Sequence, residues 1–188
     1  MMSRLPTVHR VTEVEQGRDR IEEIDLEFSN GERRLYRRLK PRGFGAVIIA
    51  AMPDPDTVLL IREYACGVNR YELGLPKGRI DRGESPIEAA NRELKEEAGF
   101  GARRLRIVRN LTLVPTYMAH QTYLVLAEDL YPERLPGDEP EQLDVLPWRL
   151  DALDQLMLRE DCSEGRSLAA MFIIREYLAK GRPGETTE

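Results

Sequence analysis

The stretch Gly78–Phe100, GRIDRGESPIEAANRELKEEAGF, sets the organisation of the whole chain. Ser85 followed by Pro86 and then Glu88 is a capping-box pattern with proline at the first helical position, which predicts a helix starting at Pro86. Gly99 supplies the matching stop. Ile87, Ala90, Leu94 and Ala98 recur at helical spacing and give this helix one apolar face, which must pack on a core. Glu93, Glu96 and Glu97 fall together on another face of its last turns.

Each like-charged pair at that spacing costs about 0.2–0.5 kcal/mol, and acids near a helix C-terminus oppose the macrodipole. Stability alone disfavours the pattern, so two readings stand beside each other. One is a solvated acidic face; the other is a cluster holding a hard divalent cation, Mg²⁺ or Mn²⁺, through carboxylate oxygens on a rigid element. The wider spacing weighs for the second. It runs Gly78, five residues, Glu84, seven residues, Arg92-Glu93-Leu94, one residue, Glu96-Glu97, one residue, Gly99-Phe100. At roughly 6% usage for each specified residue, a chance match falls below about one in 10⁸ per position.

On these residues the chain resembles the Nudix hydrolase family. The resemblance implies an α/β fold, a Nudix α/β/α sandwich with a mixed sheet and here an N-terminal β extension, and a Mg²⁺-dependent pyrophosphohydrolase, with Mn²⁺ as the other candidate metal. It implies a loop from Leu75 to Glu84 curling over a diphosphate, with a backbone carbonyl of Lys77 or Gly78 in the metal shell. Glu93 and Glu97 would be the principal metal ligands and Glu96 would complete the catalytic cluster. Arg92 would orient these glutamates; its purely structural alternative is pairing with Glu88 or Glu96 at i±4.

Length and composition frame the rest. The chain has 188 residues, 41% hydrophobic and 32% charged, enough for one domain (43–180) with a sizeable core, an N-terminal extension (1–42) and a loose tail (181–188). Its net charge of −5 argues against nucleic acid as the main partner but allows a small phosphorylated ligand, because bound metal inverts the local field. No run approaches a membrane span and the start lacks the apolar core of a signal peptide, so a cytoplasmic protein is expected. Cys66 and Cys162 form no metal or redox motif, and His9 and His120 have no partner pattern.

In the extension, Glu23–Phe28, the Asn30-Gly31 turn and Arg33–Leu39 read as a hairpin. Its arginines are a solvated face, or some of them, Arg37 foremost, meet a phosphorylated ligand or a dimer mate; the resemblance implies a homodimer formed through this part. Ala46–Met52 reads as a buried central strand, with Thr57–Tyr64 pairing back as its neighbour across Pro53–Asp56. Arg62, where that strand ends, is a candidate phosphate contact. Beyond the helix, Leu105–Val114 and Gln121–Ala127 form an antiparallel pair, joined through Pro115 and Tyr117, which in the family report substrate type. The segment Asp129–Asp144 reads as a surface loop, and the resemblance implies a general base on it, Glu139 ahead of Glu141. Trp148 is a packing residue, and a helix over Ser163–Lys180 carries Leu168, Met171, Ile174 and Leu178 on one stripe.

The segments GERRLYRR, IREYACG, YELGLPKGRIDRGES, ANRELKEEAGFGA, EDLYPE and GDEPE together resemble the branch of the family that hydrolyses ADP compounds, the NudE type. That resemblance implies ADP-ribose, diadenosine triphosphate and NADH as substrates. Two other readings have less support. A non-catalytic module sensing ADP-ribose or NAD usually lacks box glutamates, all of which are present, and an RNA-processing Nudix enzyme fits poorly with the acidic balance.

Overall fold

The computed structural model describes residues 4–16, 19–40 and 43–181, so the expected boundary at residue 42 and all but Gly181 of the expected tail lie outside the described residues. The extension is an antiparallel sheet of β1 (Thr7–Gln16), β2 (Asp19–Glu27) and β3 (Arg33–Leu39), in that order. Gly31 takes the left-handed conformation that the β2–β3 turn requires, with φ of +83°. Cross-strand ion pairs join Arg33 to Asp25, Arg37 to Glu23 and Arg38 to Glu22. The backbone ties the sheet to the rest of the chain through Leu39, whose N–H donates to the Tyr117 carbonyl at 2.7 Å and whose carbonyl accepts the Ala119 N–H at 3.3 Å.

The main domain follows as β4 (Ala46–Ala51), β5 (Thr57–Ala65), β6 (Arg70–Gly74), β7 (Lys77–Arg79), α1 (Pro86–Glu93), β8 (Phe100–Thr112), β9 (Gln121–Pro132), β10 (Asp144–Arg149), the short α2 (Leu153–Met157) and α3 (Gly165–Ala179). One sheet runs β7-β4-β9-β8 and is mixed, because β4 lies parallel to β9. A second runs β10-β5-β6 and is antiparallel. The expected pairing of β5 beside β4 is therefore corrected. Only the isolated Asp54–Thr57 bridge closes the turn between them, and β4, apolar on both faces, takes β7 and β9 as neighbours instead. The expected loop from Asp129 is shorter as well, since β9 continues to Pro132.

Alternate residues of β4 enter two different cores. Ile48 and Ala50, with Met52 just past the strand, pack with Leu153, Leu156, Met171 and Ile174 of α2 and α3 on one side. Val47, Ile49 and Ala51 pack with Ala89, Ala90 and Leu94 on the other, which makes the expected α/β/α layering. Helix α3 is capped by the Glu164 carboxylate, which accepts from the backbone N–H groups of Arg166 and Ser167. Ser167 is fully buried and accepts the Leu75 N–H at 3.1 Å, fixing the chain between β6 and β7 just ahead of the acidic helix.

Replacing Ser167 by Ala leaves the buried Leu75 N–H without a partner. It is expected to lower stability by about 1–3 kcal/mol, seen as a fall in the urea midpoint at unchanged slope.

Candidate active site

Helix α1 begins as its capping box dictates. The Glu88 N–H donates to Ser85 Oγ at 3.2 Å and the Ser85 N–H donates to Glu88 Oε2 at 2.8 Å, so Glu88 is occupied by the cap and is not a partner of Arg92. The predicted α-helix through Ala98 is corrected at its end. Leu94–Ala98 form a π turn, closed by the Gly99 N–H donating to the Leu94 carbonyl, with Gly99 at φ +76°. The wider turn keeps Leu94 and Ala98 in the core and also buries Glu97, which is only 3% exposed.

Each acid then has its own place. Glu97 Oε2 accepts the backbone N–H of Lys77 at 2.8 Å. The Glu93 carboxylate lies against the Cα of Gly78, where an added Cβ would fall on it, so the glycine is required by this close approach. Glu96 turns to Arg92. Arg92 spends its guanidinium on Glu84 (Nε to Oε1, 2.9 Å; Nη2 to Oε2, 3.0 Å), on Glu93 at 2.8 Å, on Glu96 at 2.9 Å and on the Arg79 carbonyl at 2.9 Å. Its hydrogen bonds hold the Glu84 carboxyl below the usual range. Burial pushes the Glu93 carboxyl up despite Arg92, and pushes that of Glu97 up to about 8 despite the Lys77 charge and N–H.

These residues open on a cleft of about 400 Å³. Its lining brings together seven carboxylates (Glu63, Asp81, Glu93, Glu96, Glu97, Asp138, Glu139) and three cationic side chains (Lys77, Arg79, Arg92). Glu139 comes from the β9–β10 loop, and its carboxylate folds over the Cα of Gly137, which itself lies over Glu96. Burial and the neighbouring Asp138 and Glu63 raise its affinity for a proton. A second, mainly aliphatic cavity of about 430 Å³, lined by Ile61, Ala65, Val68 and Leu73 among others, adjoins the cleft at the Glu63–Lys77 ion pair, which spans 2.6 Å.

Of the residues proposed from sequence, Lys77, Gly78, Arg92, Glu93, Glu96, Glu97 and Glu139 meet in the cleft. Four do not. Glu141 accepts the Tyr71 hydroxyl at 2.6 Å, outside the cleft. Arg62 pairs with Asp161 at 3.0 Å, Arg37 with Glu23 at 2.7 Å in the extension, and Tyr117 stands half-exposed in the β8–β9 turn. Glu63, Arg79, Asp81 and Asp138 line the cleft without having been singled out as site residues.

A hard divalent cation matches these donors in kind, since they are carboxylate oxygens around an open backbone at Gly78. Among the described residues no three acidic, His or Cys side chains are gathered closely enough to hold one as they stand, because Arg92 draws Glu93 and Glu96 to itself.

The NUDIX domain family model matches residues 40–171, most of the chain. The chain belongs to the Nudix family. A second family model, the NudE-type Nudix hydrolase N-terminal domain, matches residues 6–38, the three-stranded extension. The chain is 48% identical over 174 residues to ADP compounds hydrolase NudE of Escherichia coli K12, covering 92% of this chain and 93% of that protein. It is 30% identical over 139 residues to an ADP-ribose pyrophosphatase of Bacillus subtilis 168, covering 72% and 74%. A crystal structure of ADP compounds hydrolase superposes with a TM-score of 0.83 at 47% identity, covering 97% of this chain and 99% of that one. Nudix hydrolases generally act with a divalent metal, and among the described residues no helix is long and apolar enough to cross a membrane.

Two outcomes follow from this geometry. Gly78→Ala should leave the protein folded by circular dichroism but displace Glu93, weakening divalent-cation binding at least about tenfold by calorimetry. The buried Glu97 carboxyl, with its folded value of about 8 above the ordinary 4.5, holds a proton that the unfolded chain releases. Its effect on stability is therefore least harmful below pH 4.5 and grows as pH rises to about 8. In EDTA, Glu97→Gln should melt at least about 3 °C above wild type at pH 8, with the gap closing toward pH 5.

Proposed function

We propose that this Nudix protein is a pyrophosphohydrolase of ADP-linked compounds, cleaving the diphosphate bridge of ADP-ribose, diadenosine triphosphate or NADH to AMP and the other phosphorylated half. The observation that carries this reading is the convergence of the box acids, with Glu93 and Glu96 on Arg92, Glu93 against the bare backbone of Gly78 and Glu97 on the Lys77 N–H, beside a cavity large enough for one nucleoside-sized half. Glu93, Glu96 and Glu97, with a backbone carbonyl of Lys77 or Gly78, would hold Mg²⁺, which prefers a few carboxylates plus substrate phosphates over an all-protein cage. Bound metal supplies neutralisation of the bridge oxygens and a more acidic water.

This chain's own residues do the remaining work. Lys77, at the junction of the two cavities, meets the bridge phosphates in exchange for Glu63. Glu139, in the same cleft as the box acids and inclined to take up a proton, receives the one lost by the attacking water. Arg92 gathers Glu93 and Glu96 beside Glu84.

A homodimer through the extension accompanies this reading, in a cytoplasmic protein. Val11, Ile24 and Tyr36 stand side by side across β1, β2 and β3, with Val8 beside Leu26 in the next row of the same face. Val8, Val11 and Tyr36 are 56%, 49% and 46% exposed, an apolar patch that a second copy would cover.

The test is a substrate panel with Mg²⁺, the products resolved by chromatography. AMP and ribose phosphate should appear from ADP-ribose, whereas binding without turnover would leave a sensing module. Glu97→Gln should lose at least about a hundredfold in kcat, and Glu139→Gln should lose far more than Glu141→Gln. Replacing both Val11 and Tyr36 with Lys should convert the dimer to a monomer in sedimentation.

A further inference from the structure

The β9–β10 loop reaches the cleft through Glu139, yet its anchors lie on either side. At its start the Leu135 N–H donates to the Lys95 carbonyl at 3.2 Å, and Lys95 pairs with Glu133 at 2.8 Å, tying the loop to the acidic helix. At its end Leu143 is buried in the core beneath α1. Between them, the Tyr71 hydroxyl donates to Glu141 Oε1 at 2.6 Å, a short charge-assisted bond from strand β6.

Glu141 is joined to Glu139 through Pro140. The proline ring fixes its own φ and drives the residue before it into extended backbone, so the Glu139–Glu141 segment is stiff and transmits the position of one end to the other. Tyr71 is itself braced. Its ring packs edge-on against Tyr64 with centroids 5.8 Å apart, and Tyr64 donates its hydroxyl at 2.7 Å to Asn69, which holds the left-handed corner of the β5–β6 turn at φ +53°. The two tyrosines face each other across β5 and β6 on an exposed hairpin, 47% and 45% accessible, and the pairing of their rings accounts for both bodies but not for the Tyr71 hydroxyl. A brace for the loop gives that hydroxyl a role.

We propose that Tyr71 is a positioning residue: by holding Glu141, it sets Glu139 in the acidic cleft through the Pro140 link. This deepens the hydrolase reading and rests on it. It also assigns Glu141 a mechanical part, as the tether rather than the base.

The experiment compares Tyr71→Phe, Glu141→Gln, Glu141→Leu and the double variant Tyr71→Phe/Glu141→Leu. Two readouts are taken: steady-state ADP-ribose hydrolysis with Mg²⁺, and hydrogen exchange of the 136–142 segment in metal-free protein. Tyr71→Phe keeps the ring and its packing, so it should fold normally. Its kcat should fall about tenfold with KM within about twofold, and exchange at 136–142 should rise. Glu141→Gln keeps an acceptor for the hydroxyl and should retain kcat within about threefold, whereas Glu141→Leu should match Tyr71→Phe and the double variant should be no worse than either single one. Unchanged kcat and exchange in Tyr71→Phe, or additive losses in the double variant, would overturn the proposal. If the wild-type protein hydrolyses no ADP compound, the hydrolase reading fails instead, while the metal-free exchange still decides whether Tyr71 holds the loop.

Discussion

The guanidinium of Arg92 is the contact on which the rest of the site depends. One planar group reaches both oxygens of Glu84, one oxygen each of Glu93 and Glu96, and the carbonyl of Arg79. No lysine could do this, since a point charge on a flexible stem lacks the fork that meets several acceptors at fixed angles. The effect is to sew the loop carrying Arg79 and Glu84 onto the helix carrying Glu93 and Glu96. Without that cation the acids would be partly buried like charges with nothing to offset them, an arrangement costing several kcal/mol.

Two backbone features turn this electrostatic balance into a site. The π turn at Leu94–Ala98 inserts one extra residue into the last turn, which lets Glu97 reach the Lys77 N–H while its neighbours Leu94 and Ala98 stay in the core. Gly78 gives up its side chain so that the Glu93 carboxylate can lie on β7 itself. Strand β7 is held from the other direction by its pairing with β4, whose apolar residues fill both cores. The acids therefore stand at the point where the most buried strand, the shortest strand and the capped helix meet.

How much of this could be read from sequence follows from the range of each signal. The start of α1, its Gly99 stop and the placing of Glu93, Glu96 and Glu97 on one face are encoded locally, between Ser85 and Gly99, and they were legible. The π turn was not, because its hydrogen bond uses the same residues that an α-helix would and leaves no mark in periodicity. Strand β10 escaped notice because Pro147 interrupts it; the structure admits the proline by placing β10 at the sheet edge, paired only with β5. The pairing of β4 with β9 rather than β5, the capture of Arg62 by Asp161 and that of Glu141 by Tyr71 join residues about 70 to 100 positions apart. Nothing in a local window carries such information. The family resemblance offered candidate metal ligands and a candidate base-bearing loop with Glu139 ahead of Glu141; the structure lines the cleft with Glu139 and bonds Glu141 to Tyr71 outside it.

Charge decides the order in which this cleft can work. Seven carboxylates face three cationic side chains, and the whole chain carries −5, so neither the local field nor the distant one attracts a diphosphate. A divalent cation held by these acids would offset that charge and would compete with Arg92 for Glu93 and Glu96. Without such a cation, the acidic excess disfavours a free phosphate in the cleft. Once it is loaded, the proposed substrate is chosen by what lies beside the bridge, namely the Lys77 ammonium and the aliphatic cavity behind it. Free phosphate can use the first of these but not the second. A nucleoside-bearing diphosphate uses both, which gives an acidic protein selectivity for a highly anionic ligand without long-range attraction.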